Sequence, residues 1–296
     1  MRIFRIIIRI IQNPKLVVIR LSYNLKRLLS DIKAQFGKYK YKYNIIFIAG
    51  MPMSATTWVK NMFGLVPGYY TRYTPMSKNV AYNQNISDSA FKYCPKKSFS
   101  LFKTHLNPHK ENIDIIKKNN VKKIIVTYRD LRDVALSRYH RLIKFPKKDQ
   151  PDFLDYESVG KEEGINHSIM CVEKYFIPWI KGWKDIYIKN NDFVLLVKFE
   201  DLATNSKKEF ERMLKFYEIS LDENKINQIL DKTKGKGEMV KNMKDSTLLP
   251  WAISTNFRSG KIGAWKSEFS DTNKIYSKKI LGKYLIELGY ERNESW

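Results

Sequence analysis

A turn rich in serine and threonine hydroxyls follows the apolar run 45–49. It spans residues 50–58 and reads GMPMSATTW. A turn from a buried strand into a helix presents backbone N–H groups and the positive end of the helix dipole to a phosphate. The phosphate loop of nucleoside triphosphatases has lysine where Thr56 stands here. Because no acidic residue closes a later strand to hold Mg²⁺, a metal-dependent triphosphatase is disfavoured, and we predict a phosphate-binding turn that works without metal.

A second group with chemical potential is a histidine next to a lysine. Lys103 and His105 belong to the segment KTHL, at the end of the next predicted strand. A histidine at the carboxyl end of a sheet strand, with a lysine beside it, suits a general base that works next to an anion.

Two further segments combine positive charge with groups that approach a ligand closely. Arg129 leaves the third predicted strand and Ser137 lies two turns into the following helix, so a guanidinium and a hydroxyl converge on one phosphate. Residues 257–266 read FRSGKIGAWK, in which the glycines permit close backbone approach while Arg258 and Lys261 supply charge. Both segments predict anion binding.

In this order, the four segments resemble the sulfotransferases that use 3′-phosphoadenosine 5′-phosphosulfate (PAPS) and release 3′-phosphoadenosine 5′-phosphate (PAP). The family patterns are PKSGTTW or PRSGTTW, KTHL, RxxxDxxxS and RKGxxGDWK. Residues 199–202 (FEDL) and 288–291 (LGYE) also resemble family segments, and the similarity covers residues 49–291. The resemblance implies PAPS as cofactor and no metal. The implied cofactor-binding residues are Ser54, Ala55, Thr56, Thr57, Trp58, Arg129, Ser137, Phe199, Arg258, Ser259 and Gly260.

The resemblance also implies roles for single residues. His105 is the implied catalytic base, and Lys103 stabilises the group in transfer. The 5′-phosphate is expected at the hydroxyls of the 50–58 turn, the adenine at Trp58, and the 3′-phosphate at Arg129 and its partners. The predicted function is therefore transfer of a sulfuryl group from PAPS to an acceptor hydroxyl or amine.

Two positions of the turn depart from the family pattern. Met53 replaces the loop lysine or arginine, and Ala55 replaces the loop glycine. A thioether cannot donate to a leaving phosphate, and loss of one donor costs on the order of 10²–10³ in rate. Either Lys103 or Lys60 supplies the missing charge, or the protein is a catalytically weak relative that binds PAP and PAPS.

The pattern of apolar runs predicts one α/β domain, 44–296, with a P-loop-like parallel sheet flanked by helices. A basic amphipathic helical extension, 1–43, precedes it. Residues 69–97 and 145–165 are expected to form the acceptor pocket, the second of them as a loop. Strands are predicted over 45–49, 98–103, 122–128 and 193–199, and helices from about 56, over 130–144 and 167–189, from about 204 and over 273–288.

The amino-terminal extension alternates basic and apolar faces. Residues 1–11 read MRIFRIIIRII, too short and too charged to span a bilayer. A second apolar stripe runs from Leu21 to Phe36 at helical spacing, with Lys26 and Lys33 off it. Helices of this kind lie in membrane interfaces. Two roles stay open for this extension: binding to an anionic membrane surface, and packing against the domain.

Composition sets the remaining limits. The chain of 296 residues has 54 Lys+Arg against 30 Asp+Glu, a net charge of +24, which attracts anions. Two distant cysteines, Cys94 and Cys171, form no disulfide framework, so we predict a cytoplasmic protein with possible peripheral membrane contact. Small-molecule, glycan and lipid acceptors all suit the composition, and nucleic acid is disfavoured because no binding motif is present. A basic membrane-surface protein that retains only the fold is a third function class.

Overall fold

The computed structural model describes residues 14–72, 84–92, 94–95, 97–146, 152–233 and 260–296. Its centre is a parallel sheet in the order β2-β3-β1-β4-β5. The strands of this sheet are β1 (Ile45–Gly50), β2 (Tyr69–Thr71), β3 (Phe99–Thr104), β4 (Ile124–Tyr128) and β5 (Val194–Lys198).

Helices cover both faces of the sheet. The longer ones within the described residues are α1 (Pro14–Gln35), α2 (Thr56–Phe63), α3 (Lys110–Lys118), α4 (Leu131–Lys144), α5 (Lys161–Cys171) and α6 (Ile177–Lys189). The carboxyl-terminal part adds α7 (Phe199–Thr204), α8 (Ser206–Phe216), α9 (Glu223–Thr233), α10 (Trp265–Glu268) and α11 (Asp271–Glu287). A π-helical turn over Val172–Phe176 joins α5 to α6.

The central strands are buried on both faces, which explains why they read as continuous apolar runs. Every residue of β1 and of β4 is buried. Side chains of a strand alternate between faces, so Phe47 and Ala49 enter one apolar cluster while Ile46 and Ile48 enter the other. The predicted α/β fold with a parallel sheet flanked by helices is confirmed.

The structure departs from the predicted elements in several places. β2 was not expected, because it is a three-residue edge strand without an apolar run. Helices α3 and α9 were also missed. The end of the predicted 145–165 loop is helical from Lys161, and the helix predicted over 167–189 begins there and contains the π-helical turn. Parts of both predicted acceptor-pocket segments lie outside the described residues.

Helix α1 packs on the domain through its polar side. Ser30 and Asp31 are buried, and the Asp31 carboxylate pairs with the Arg72 guanidinium at 2.6 Å. The side chains of the apolar stripe are exposed instead: Leu21, Leu25, Leu28, Leu29, Ile32 and Phe36. The helix thus has the reverse of the usual orientation of an amphipathic surface helix. Residues 1–11, the other basic and apolar segment of the predicted extension, lie outside the described residues.

Candidate functional site

The turn after β1 forms the centre of the site. Met53 and Ala55 both have left-handed backbones, with φ of 69° and 63°. Gly50 precedes them, and a Cβ there would lie 2.0 Å from Thr56 Oγ1 and 2.4 Å from Thr127 Oγ1. Glycine is therefore required at position 50, because the turn folds directly back over the end of β1.

Two hydroxyls of the turn hold it to the neighbouring strand. Ser54 Oγ is buried and lies 2.5 Å from the Met51 carbonyl and 2.8 Å from Thr127 Oγ1. Thr56 Oγ1 lies 3.1 Å from Thr127 Oγ1. Both hydroxyls thus stabilise the turn itself, and their predicted contact with a 5′-phosphate stays a prediction.

Other donors of the turn are available to a ligand. The N–H groups of Ala55, Thr56 and Thr57 make no hydrogen bond within the described residues, as is usual at the start of a helix. The same holds for the half-buried Thr57 hydroxyl. Trp58 Nε1 is buried without a partner among these residues. A buried N–H without an acceptor is costly, so these donors fit an anionic, hydrogen-bonding ligand.

His105 follows β3 and turns its ring toward the β1 turn. Its Nδ1 lies 2.5 Å from the Gly50 carbonyl oxygen, and its backbone N–H donates to Gln84. A carbonyl only accepts, so Nδ1 carries the proton and Nε2 keeps its lone pair. Nε2 lies 3.5 Å from Lys103 Nζ. The predicted base and the predicted stabilising lysine are thus neighbours.

Positive charge is concentrated around Lys103. Burial, and after it the charge of Arg141, lowers the pKa of Lys103 to about 8. Burial, and after it the charge of Lys103, lowers the pKa of Lys60 to about 7. The neutral form gains because a buried ammonium loses hydration and repels its neighbour.

Arg129 lies at the end of β4, on the other side of β1. Its guanidinium is buried and stacks on the Phe199 ring at 4.2 Å from the centroid. It also bonds the Asp133 carboxylate at 3.2 Å, while its Nε is buried without a partner among the described residues. Phe199 therefore positions the arginine, and the open Nε fits an anion. Ser137 lies one helical turn beyond Asp133, half-buried on the same face of α4.

Asp133 was not among the predicted site residues, although it is the acid of the RxxxDxxxS pattern. It is fully buried and accepts the backbone N–H groups of Gly263 at 2.8 Å and Trp265 at 3.1 Å. Gly260 and Gly263 have φ of 63° and 68°, which favours glycine. The predicted Gly260 thus sits beside Arg129, whose guanidinium bonds the adjacent Lys261 carbonyl at 2.6 Å. The predicted residues Arg258 and Ser259 lie outside the described residues.

The two smaller sequence similarities, at 199–202 and 288–291, meet in the structure. Glu200 accepts the Asp130 N–H at 3.0 Å and the Tyr290 hydroxyl at 2.9 Å. Burial raises the pKa of the Glu200 carboxyl. Because Asp130 begins helix α4, this contact fixes the turn that carries Arg129.

Comparison with known proteins gives the family. The family described as Sulfotransferase domain matches residues 44–287. A flavonol 4′-sulfotransferase of Flaveria chlorifolia is 26% identical over 85% of this chain and 82% of its own length. Sulfotransferase 1B1 of Mus musculus is 27% identical over 81% of this chain and 84% of its own.

Solved structures agree in fold. Mouse sulfotransferase SULT7A1 complexed with PAP superposes with a TM-score of 0.63 at 17% identity, over 86% of this chain and 87% of its own. Retinol dehydratase in complex with androsterone and PAP superposes with a TM-score of 0.56 at 16% identity, over 82% and 80%.

The fold and the family match define the chain as a member of the sulfotransferase domain family. It is a PAPS-dependent sulfotransferase, and the function predicted from the four motifs is confirmed at this level.

Proposed function

We propose that the site at the carboxyl ends of β1, β3 and β4 transfers the sulfuryl group of PAPS to the hydroxyl or amine of a small-molecule acceptor, with His105 as base. The observation that carries this proposal is the contact of His105 Nδ1 with the Gly50 carbonyl, which leaves Nε2 as a proton acceptor beside Lys103. Relatives named as a flavonol 4′-sulfotransferase and an amine sulfotransferase support a small acceptor.

In the transfer step, His105 removes a proton from the acceptor while the sulfuryl group moves. The acceptor O–H or N–H proton moves to His105 Nε2 while the acceptor atom forms a bond to sulfur. The bond between sulfur and the bridging oxygen breaks, and its electron pair stays on the 5′-phosphate of PAP. Lys103 attracts the charge of the moving group. Positioning and electrostatic stabilisation supply most of the rate, as in phosphoryl transfer.

The donor is held at two places in this proposal. The N–H groups of Ala55, Thr56 and Thr57 bind the 5′-phosphate, and Trp58 packs on the adenine. The 3′-phosphate lies at Arg129, Ser137 and Gly260, with Arg258 and Ser259 added from the motif. The unpartnered Trp58 Nε1 and Arg129 Nε support a ligand at both places.

The donor assignment is tested by calorimetry with PAP and AMP. Charge-assisted bonds at Arg129 are worth about 1.5–3 kcal/mol each, so PAP binds at least tenfold more tightly than AMP. Arg129→Met removes most of this preference. Equal affinities of the wild-type protein for the two nucleotides refute the donor site.

The base is tested separately. His105→Ala abolishes transfer of ³⁵S from PAPS to a panel of phenol, amine, sugar and lipid acceptors while PAP affinity stays within about threefold, because a base acts in the transition state. His105→Gln is the matched polar control and is equally inactive. A His105→Ala protein with wild-type turnover is incompatible with this role. PAP binding without transfer to any acceptor indicates instead a weak relative, as Met53 suggests.

We also propose that α1 docks the protein on an anionic membrane surface. Its exposed Leu21, Leu25, Leu28 and Leu29 support this, together with Lys26 and Lys33 on the same helix. No helix in the described part of the chain is long and apolar enough to cross a membrane.

Vesicle flotation measures this docking. Replacement of the four leucines by glutamine abolishes flotation with phosphatidylserine-containing vesicles at low salt. Ile188→Gln with Ile275→Gln, which changes exposed isoleucines elsewhere, leaves flotation unchanged. Equal flotation of both variants and the wild-type protein contradicts the proposal.

A further inference from the structure

The turn before α2 carries no positive charge at position 53, because Met53 stands there. When the sulfuryl group departs, the 5′-phosphate oxygen gains negative charge, and a donor aimed at that oxygen lowers the barrier. The Met53 thioether has no proton to donate. Its half-buried side chain packs against the apolar cluster that contains Phe47. The charge that assists departure must therefore come from another element.

Lys60 lies one helical turn beyond Thr56, on the same face of α2. Thr56 Oγ1 contacts Thr127 at the end of β4, so this face of α2 is turned toward the edge of the sheet where the turn lies. Lys60 is 6% exposed. Lys60 is therefore buried on the face of α2 that is turned toward the sheet.

Lys103 reaches the same space from β3. It lies in register with Ile48 of β1, and Ile48 belongs to the apolar cluster that also contains Val59 of α2. The side chains of a strand alternate between faces, so Lys103 leaves β3 on the same face as Leu101, which belongs to the cluster with Val59. The charge of Lys103 lowers the pKa of Lys60. The other groups that face Lys103 are His105 at 3.5 Å and Arg141 from α4.

Lys60 is buried and Lys103 half-buried on the same face of the sheet, so both ammonium groups lose hydration and repel each other. A phosphate held at the turn relieves both penalties, and most strongly when its charge increases. On the basis of the donor site proposed above, we propose that Lys60 is a catalytic residue that binds the departing 5′-phosphate oxygen. The protein thus carries on α2 the cation that the turn lacks.

Single-turnover transfer tests the role directly. Lys60→Met lowers the rate constant about 10²- to 10³-fold, with a smaller change in the PAPS concentration at half-saturation, because the interaction strengthens as the phosphate leaves. Met53→Lys in the Lys60→Met background restores at least tenfold. Lys118→Met, at an exposed lysine of α3, has no effect. Thermal unfolding shows that Lys60→Met stays folded, since methionine fills the same buried space.

Proton uptake gives a readout that does not depend on turnover. At pH 7.5 an amine with a pKa of about 7 is about one-quarter protonated. A phosphate bound beside it raises that pKa, so PAP binding takes up about 0.7 proton through Lys60. Lys103, with a pKa of about 8, adds about 0.2. Calorimetry in HEPES and in Tris measures the uptake, and Lys60→Met reduces it to the share of Lys103.

The outcomes separate the two proposals. An active wild-type protein whose rate is unchanged by Lys60→Met, or whose PAP-linked proton uptake is unchanged, overturns the role of Lys60 and leaves the proposed function intact. A wild-type protein that binds PAP with Lys60-dependent uptake but transfers nothing supports Lys60 as the phosphate ligand and refutes transfer through His105.

Discussion

Replacement of Ala55 by glycine relieves strain at the start of α2. Ala55 has φ 63° and ψ 17° and precedes the first helical residue without a side-chain cap. A left-handed backbone costs a residue with a Cβ about 1–2 kcal/mol. Glycine removes that cost but adds about 0.4–1 kcal/mol of backbone entropy to the unfolded chain. The net gain in the free energy of unfolding is therefore about 0.5–1 kcal/mol.

The matched control is Ala203→Gly. Ala203 is exposed in the last turn of helix α7, where the same substitution costs up to about 0.8–1 kcal/mol. Thermal unfolding is measured for both variants. Ala55→Gly raises Tm by about 1–4 °C and Ala203→Gly lowers it by a similar amount. A decrease in Tm for both variants refutes the reasoning, because it means that the Ala55 backbone is not strained in the folded protein.

Three further results are expected. Asp133→Asn weakens the contacts that hold the loop at Trp265 and lowers PAP affinity at least tenfold, measured by calorimetry, whereas unchanged affinity contradicts the role of Asp133. Gly50→Ala forces a Cβ to within 2.0 Å of Thr56 Oγ1 and prevents PAP binding, which is checked by the same titration. Because Lys60 and Lys103 act as cations, kcat/KM for PAPS, which reports the free protein, falls as the pH rises through their pKa values of about 7 and about 8; a profile of kcat/KM that stays flat up to pH 10 contradicts this.

Much of the fold follows from the sequence because the central strands are buried on both faces. Apolar runs such as 45–49 identify them to within one or two residues. The edge strand β2 has three residues and tyrosines at two of them, so no periodicity marks it. For α1, periodicity locates the apolar stripe but not its orientation, since the ion pair of Asp31 with Arg72 joins residues 41 positions apart.

The candidate site, like the fold, could be predicted only in part. Parallel strands end at one edge of a sheet, so His105 and Arg129 could be placed near each other from sequence order alone. The contacts that their side chains make could not be predicted in this way. Phe199 stacks on Arg129, and Ser54 turns toward Thr127, because of packing between segments distant in the chain. The sequence offers Lys60 and Lys103 equally as the source of the missing charge, and only the structure shows that Lys60 is buried.

The strand order also sets the distance between the two ends of the proposed donor site. β1 lies between β3 and β4, so the strand ends that carry His105 and Arg129 are two strand spacings apart, roughly 10 Å. In the donor site proposed above, the sulfuryl group lies beside His105, the 5′-phosphate at the turn after β1 and the 3′-phosphate at Arg129. A 5′-triphosphate carries all its phosphates on the 5′ carbon, so it brings no phosphate to Arg129. We therefore expect ATP to bind more weakly than PAP, because the strand order keeps Arg129 away from the turn that would hold the 5′-phosphate.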